Sequence, residues 1–372
     1  MKKFFALIMF VALAFAFIGC DVTTEETDWN IVMLTDVGTI TDKSFNQGTW
    51  EGVKAFADTN DIDAIYFRPN AGTQADYEEA IDLVIANGAN VVVCPGFLFE
   101  TAIHAKQSQY PNVYFILIDG TPHDANYTDF TQTSNTLCIL FQEEQSGFLA
   151  GYAAVADGYD NLGFMGGMEL PAVIRFGIGY VAGAYYAAEI LDKTITFNAS
   201  RYTYLGDFNN DVAHTTQAAS WYSGDEGVDI IFAAAGGAGN AVMVAAETAN
   251  KKVIGVDVDQ AAQSTTVISS AMKLLAVAVG QALTDLIIDD DFAGGTVLNK
   301  GAAQDAVGLP LGESFKFTTF TEAQYTALLA QVKAGTIVVP TSEAELTTFI
   351  ATYCGNPSIA DLIAKAETEA AD

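Results

Sequence analysis

Asp36-Val-Gly-Thr-Ile-Thr-Asp-Lys-Ser-Phe45-Asn-Gln-Gly-Thr-Trp-Glu-Gly-Val-Lys-Ala-Phe56 is the stretch on which the reading of this 372-residue chain turns. The apolar run Ile31–Leu34 before it has the continuity of a buried strand. A glycine-containing turn follows, and then Phe45, Trp50, Val53 and Phe56 recur at roughly helical spacing. Asp36 therefore stands at the carboxyl end of a first strand. Phe45, Asn46 and Gln47 stand at the entry to a first helix, with Ser44 as its expected N-cap. In an open parallel sheet, ligands bind in the crevice beyond the strand carboxyl ends. A carboxylate, an aromatic ring and an amide gathered there suit a flat small molecule with a polar edge.

The same grammar continues along the chain. Strand-like runs at Ala64–Phe67, Val91–Cys94, Val113–Ile118 and Thr136–Phe141 alternate with helical stretches such as Tyr77–Asn87 and Thr101–Gln109. Further on, Gln142–Val155, Ala172–Ile190 and Asn240–Ala249 read as helices, and Asn161–Phe164, Thr196–Tyr204, Asp229–Ala233 and Val253–Val256 as strands. Continuous apolar strands bracketed by helices predict an α/β fold whose parallel sheets are covered on both faces.

Composition narrows the function. The net charge of −30, from 46 acids against 16 bases, excludes general nucleic-acid binding and disfavours adhesion to anionic lipid. Its plain reading is a solubilising surface. At the start, Lys2 and Lys3 precede an apolar segment, Phe4 to Phe17, too short to span a bilayer comfortably; this reads as an export leader over residues 1–19. Its end, Phe17-Ile-Gly-Cys20, resembles the lipobox of bacterial lipoproteins, which makes Cys20 the expected lipid-attachment point. An ordinary secretory leader with an incidental cysteine is the other reading. Residues 20–28 are polar and suit a tether. Cys94 and Cys138 lie in apolar strand-like runs and read as buried free thiols, with one disulfide among Cys94, Cys138 and Cys354 left open outside the cytoplasm.

Catalytic signals are few. No Ser, Cys and His group into a triad, and no histidine stands at metal-ligand spacing, so no metal is expected. His104, His123 and His214 are scattered, at least two of them expected at the surface. No phosphate loop of the Gly-x-x-x-x-Gly-Lys type occurs. Gly237-Ala-Gly239, with Asp257 about twenty residues on, matches part of a dinucleotide fingerprint. Val242 replaces its third glycine, and a tight strand-to-helix turn that brings backbone near a ligand explains these glycines equally well. No cofactor is expected.

The opening stretch, with Gly163–Gly177, Ala233–Asn240 and Val253–Gln260 following in order, resembles the signature segments of the basic membrane protein family. These are the purine-nucleoside-binding lipoproteins of bacterial ABC importers. The resemblance runs from about residue 30 to about 310. It implies a type I periplasmic-binding-protein fold: two doubly wound lobes joined by three strand crossings at a hinge. Residues 29–138 and 271–305 form the first lobe on this reading, and 139–270 and 306–372 the second.

The resemblance also implies a site. Asp36, Asn46 and Asp257 match positions that contact the nucleoside, and Lys273 matches a lysine near it. Carboxylates suit ribose hydroxyls, which are donors. Phe45 and Phe208 are the rings expected to sandwich a base from opposite lobes, with core packing as the alternative for each. Asp119, ending the run Val113–Ile118, is expected at the crevice, where a hinge or capping role competes, and Gly237 in the strand-to-helix turn beside it. Two departures bear on the loop before Phe45: Thr39 stands where the family commonly has Gly, and Thr41 where it commonly has Asp. Leu274-Leu-Ala-Val-Ala lacks the charges often seen after the lysine. The implied protein is no enzyme but a lipid-anchored receptor on the extracytoplasmic face of the cell membrane, serving an ABC permease whose ATPase is a separate subunit. The same fold holding a sugar, a flavin or a signalling furanose is the alternative, with an exported nucleoside-processing enzyme behind it.

Overall fold

The computed structural model describes residues 28–354, apart from 225 and 226. The expected leader, Cys20, most of the tether and residues 355–372 lie outside the described residues.

The first half contains β1 (Asn30–Leu34), α1 (Phe45–Asn60), β2 (Asp63–Phe67), α2 (Gln74–Ala86), β3 (Val91–Pro95), α3 (Glu100–Gln107), β4 (Tyr114–Ile118) and β5 (Thr136–Phe141). Next come α4 (Glu143–Asp157), β6 (Leu162–Gly166), α5 (Pro171–Ile190), β7 (Tyr202–Tyr204), α6 (Val212–Tyr222), β8 (Ile230–Ala234), α7 (Gly239–Ala249), β9 (Lys252–Asp257) and β10 (Val267–Lys273). The rest is α8 (Leu275–Ile287), β11 (Thr296–Lys300), β12 (Val307–Gly308), α9 (Glu322–Lys333) and α10 (Glu343–Tyr353). The strands make two six-stranded sheets, ordered β11-β5-β4-β3-β1-β2 and β12-β10-β9-β8-β6-β7. All pairings are parallel except β10 with β12.

Strand alternation explains the layering. In the first sheet Ile31, Met33, Val91, Val93, Ile116 and Ile118 face one side, where Val53 and Phe56 of α1 and Val279 and Leu283 of α8 pack. Val32, Leu34, Val92, Cys94, Phe115 and Leu117 face the other, under α2 and α3. Both faces are buried, so the strands read as unbroken apolar runs rather than alternating ones. Cys94 and Cys138 share that second core as free thiols.

The chain passes between sheets after Phe141, after Lys273 and after Lys300. Cys138 and Ala271, where the sequence reading drew two boundaries, instead lie inside β5 and β10. Hydrogen bonding carries both strands to their ends, and hydropathy alone does not show where a ladder stops. The expected strand Thr196–Tyr204 is also interrupted. Thr196 makes one bridge to Asn161, residues Ala199–Arg201 form a 3₁₀ turn capped by the Asn198 side chain, and only Tyr202–Tyr204 joins the sheet. An Asn side chain that satisfies backbone locally competes with a ladder.

Helices α4 and α5 meet backbone to backbone. A Cβ built on Gly179 or Gly183 would lie 2.0 Å from the carbonyl oxygen of Glu144 or Phe148; one on Gly147 or Gly151 would lie 2.2 or 2.1 Å from that of Phe176 or Tyr180. Four glycines thus let the helix that enters the second lobe lie directly on α5. Gly179→Ala should therefore lower the unfolding midpoint, by about 1–3 kcal/mol of overpacking. Gly280→Ala, in α8 with open space at its Cβ, should leave the midpoint unchanged or raise it by up to about 1 kcal/mol. Urea unfolding of the two variants checks the opposite signs.

Candidate functional site

Helix α1 starts on a carboxylate. Ser44 occupies the expected N-cap position but its hydroxyl makes no capping bond. Asp42 does the work: Oδ1 accepts from the Ser44 and Gln47 amides at 2.8 and 3.1 Å, and Oδ2 from the Asn46 amide at 2.9 Å. An anionic acceptor outcompetes a hydroxyl at a helix N-terminus. The freed Ser44 Oγ donates to Asp257 Oδ2 at 2.5 Å, across the lobes. Gln260 Nε2 makes a second inter-lobe bond, to the Lys43 carbonyl at 2.7 Å. Asp42 is a functional residue that sequence reasoning missed; its place two residues before Ser44 was the available signal.

Asn46 is buried and fully engaged. Its Nδ2 donates to Asp36 Oδ1 at 2.8 Å and to Asp42 Oδ2 at 3.0 Å, while its Oδ1 accepts from the Asp36 amide at 3.2 Å. It braces Asp36. The Gly38 amide adds a bond to Asp36 Oδ1 at 2.6 Å. Asp36 Oδ2 faces Gly96, whose φ of 111° and missing side chain leave room for it and for the Phe45 ring. Burial pushes the Asp36 pKa up to about 6, against the pull of the Gly38 and Asn46 bonds.

Lys273, the last residue of β10, anchors the cleft floor. Its buried Nζ lies 2.5 Å from Asp119 Oδ2, 3.4 Å from Asp257 Oδ1 and 3.7 Å from Glu143 Oε1. It also stands 4.5 Å from the centre of the Phe45 ring, a cation–π contact. Burial works to lower its pKa, but Asp119, Asp257 and Glu143 hold it above the ordinary lysine range. Asp119 is itself raised by burial, with Lys273 opposing. Its Oδ1 is buried without a hydrogen-bond partner. Glu143 Oε2 accepts from Arg175 Nε at 2.7 Å, tying α4 to α5.

On the second lobe, Phe208 rests on a shelf of glycines. A Cβ on Gly167 would lie 2.3 Å from the Phe208 ring, and one on Gly237 2.7 Å from its carbonyl oxygen. The glycines of the strand-to-helix turn thus seat the aromatic wall.

Asp36, Phe45, Asn46, Asp119, Phe208, Gly237, Asp257 and Lys273 all line one cleft between the lobes, together with Asp42, Gly96, Phe97, Phe176, Val256 and the first turn of α5. Its open space, counted out to the mouth and including solvent there, is about 760 Å³. The histidines lie outside its lining, but two of them correct the sequence reading. His123 and His214 are buried, because each pairs its Nε2 with a carboxylate, Glu100 at 3.1 Å and Asp207 at 3.0 Å.

Lys273→Met should cost about 3–5 kcal/mol at pH 7, since three buried carboxylates lose the cation they share. In the variant the Asp119 carboxyl, already raised by burial, loses the cation that opposes the rise, so the folded state binds more protons and stability falls as pH rises. The deficit should therefore shrink between pH 7 and pH 5. Urea unfolding of wild type and variant at both pH values checks it, and a deficit that grows on acidification refutes it.

Residues 30–343 match the family described as ABC transporter substrate-binding protein PnrA-like. The CD4+ T-cell-stimulating antigen of Listeria innocua is 30% identical over 76% of this chain and 80% of its own length. The ABC transporter nucleoside-binding protein BmpA of Lactococcus lactis is 29% identical over 77% of this chain and 82% of its own. Basic membrane protein A2 of Borrelia garinii is 30% identical over 83% and 87%. A solved ABC transporter solute-binding protein from Aeropyrum pernix shares the fold, with a TM-score of 0.72 over 89% of this chain and 99% of its own, at 22% identity. The two six-stranded lobes match that solved structure in fold, and the family that residues 30–343 match is one of substrate-binding proteins rather than enzymes. The chain belongs to the PnrA-like family of ABC transporter substrate-binding proteins.

Proposed function

We propose that this protein captures purine nucleosides in the inter-lobe cleft and delivers them to an ABC permease, held at the extracytoplasmic face of the membrane by lipid on Cys20. The observation that carries the reading is the combination lining one cleft: Phe45 from the first lobe, Phe208 from the second, and carboxylates at Asp36, Asp119 and Asp257. Two rings on opposite walls suit a purine, each stacked face contributing about 1–3 kcal/mol by analogy with base stacking elsewhere. Carboxylates accept from ribose hydroxyls, and the unpartnered Asp119 Oδ1 is an acceptor awaiting a donor. Among the described residues the one cation in the lining, Lys273, is already paired, so a phosphate finds no free positive charge in that lining. The nucleoside-binding name of the Lactococcus relative supports the same class of ligand.

Binding works by closure. A ligand that touches Phe45 and Asp36 on one lobe and Phe208 and Asp257 on the other stabilises the closed arrangement by its contacts to both. The Ser44–Asp257 and Lys43–Gln260 hydrogen bonds already join the lobes.

Calorimetry with adenosine, adenine and ribose tests the ligand. Adenosine should bind more tightly than either part, and Phe45→Ala or Phe208→Ala should each weaken it by about 1–3 kcal/mol with little change in melting temperature. Equal affinity for adenine and adenosine refutes the ribose role of the aspartates.

The anchor rests on the Phe17-Ile-Gly-Cys20 sequence and the polar tether after it. Wild type should partition into detergent and Cys20→Ser into the aqueous phase, because acyl chains contribute about 0.8 kcal/mol per buried methylene. Aqueous partitioning of both overturns the anchor.

A further inference from the structure

The loop that carries Phe208 has a second cluster behind it. Asp207, Asp211 and His214 each offer one ligating atom, and these atoms all lie within 4.8 Å of one another. None of the three lines the cleft. His214 Nε2 stands 3.0 Å from Asp207 Oδ1 and 3.7 Å from Asp211 Oδ2. Neighbouring ligands of a tetrahedral ion with bonds near 2.0–2.1 Å are about 3.3–3.4 Å apart, so these separations bracket what such an ion needs.

The arrangement is graded in depth. The His214 side chain is 8% exposed, whereas those of Asp207 and Asp211 are 41% and 46% exposed. A nitrogen lies at the floor, with two carboxylates at a rim open to solvent, which supplies an entry path and a place for a water ligand. The carboxylates are also held in place. Asp211 caps α6 by accepting from the His214 amide through Oδ1 at 3.0 Å, which leaves Oδ2 turned toward the ring. Asp207 Oδ1 accepts from the Asn209 amide at 2.7 Å. Bonds of this kind orient ligands at metal centres.

We propose that Asp207, Asp211 and His214 bind a divalent transition metal, with Zn²⁺ the ion suited to three nitrogen and oxygen ligands and one open position. On binding, the ion takes the place of the Nε2 proton shared with Asp207, which is released to solvent; His214 then coordinates through Nε2 with its remaining proton on Nδ1, while each aspartate gives one oxygen. The ion ties Asp207 to the first turn of α6 and so fixes the backbone on both sides of Phe208. The linear pattern Asp-x-x-x-Asp-x-x-His spans a turn and a helix start, and for that reason no familiar ligand spacing announced it.

The test uses the purified, untagged protein. Zinc chloride titrated by calorimetry should bind with one equivalent at this site, excess zinc should raise the melting temperature, and Co²⁺ should give the visible absorption of a tetrahedral centre. Asp211→Asn keeps a competent helix cap and removes a ligand charge; it and His214→Gln should raise the zinc dissociation constant more than about tenfold, since even outer-shell losses cost about that much. A wild type with no zinc-dependent melting shift overturns the proposal. So does a shift of equal size in wild type and both variants, which is what diffuse binding to a surface of net charge −30 would produce.

Discussion

The ammonium of Lys273 is the charge around which both lobes are arranged. Asp119 arrives from the end of β4, Asp257 from the end of β9 and Glu143 from the start of α4, at 2.5, 3.4 and 3.7 Å. Three carboxylates brought together away from water repel one another and favour protonation. One shared cation makes the convergence tolerable, because an opposite charge in a low-dielectric interior offsets much of the desolvation cost. Asp119 and Asp257 also sit at positive φ, 57° and 65°. Left-handed backbone is a modest cost for aspartate, and here it turns both carboxylates off the strand ends toward the lysine.

The aromatic wall depends on the same ion. Lys273 stands over Phe45, and the Asp36 carboxylate and the Phe45 ring share the space that Gly96 leaves open. Phe208 is held by other means, through glycines whose missing side chains leave the space that its ring and backbone occupy. One wall is set by electrostatics and the other by the absence of side chains. Around them, Asp42 and Asn46 form a relay that converts the start of α1 into a rigid support for Asp36.

How much of this was legible in the chain varies with the physics involved. Strands β1, β3, β4 and β5 were readable because burial on both faces makes them continuous apolar runs. Once strand ends were placed, Asp36, Asp119 and Asp257 followed, since a parallel sheet presents those ends to one crevice. Hydrogen-bond competition was not readable: Ser44 has the right residue type for a cap, and only geometry shows that Asp42 takes the amides. The expected surface positions of His123 and His214 failed for a related reason. Their carboxylate partners, Glu100 and Asp207, are assigned by tertiary structure, and a paired histidine no longer needs water. Helices α9 and α10 begin with clear cap residues, Thr321 and Ser342, but lie beyond the segments whose resemblance guided the reading.

The two sheets have one connectivity. β1 through β5 and β11 correspond in order to β6 through β10 and β12, with only the last strand reversed. Under that correspondence Asp119 answers to Asp257, as like charges on equivalent strands. Phe141, the last residue of β5, answers to Lys273, the last residue of β10. The Lys273 ammonium stands 5.9 Å from the centre of the Phe141 ring. Strict internal twofold symmetry would place two rings or two ammonium groups at this meeting point. The molecule departs from its symmetry at this pair of positions, which gives the cleft a direction, so a ligand with two unlike ends meets two unlike walls.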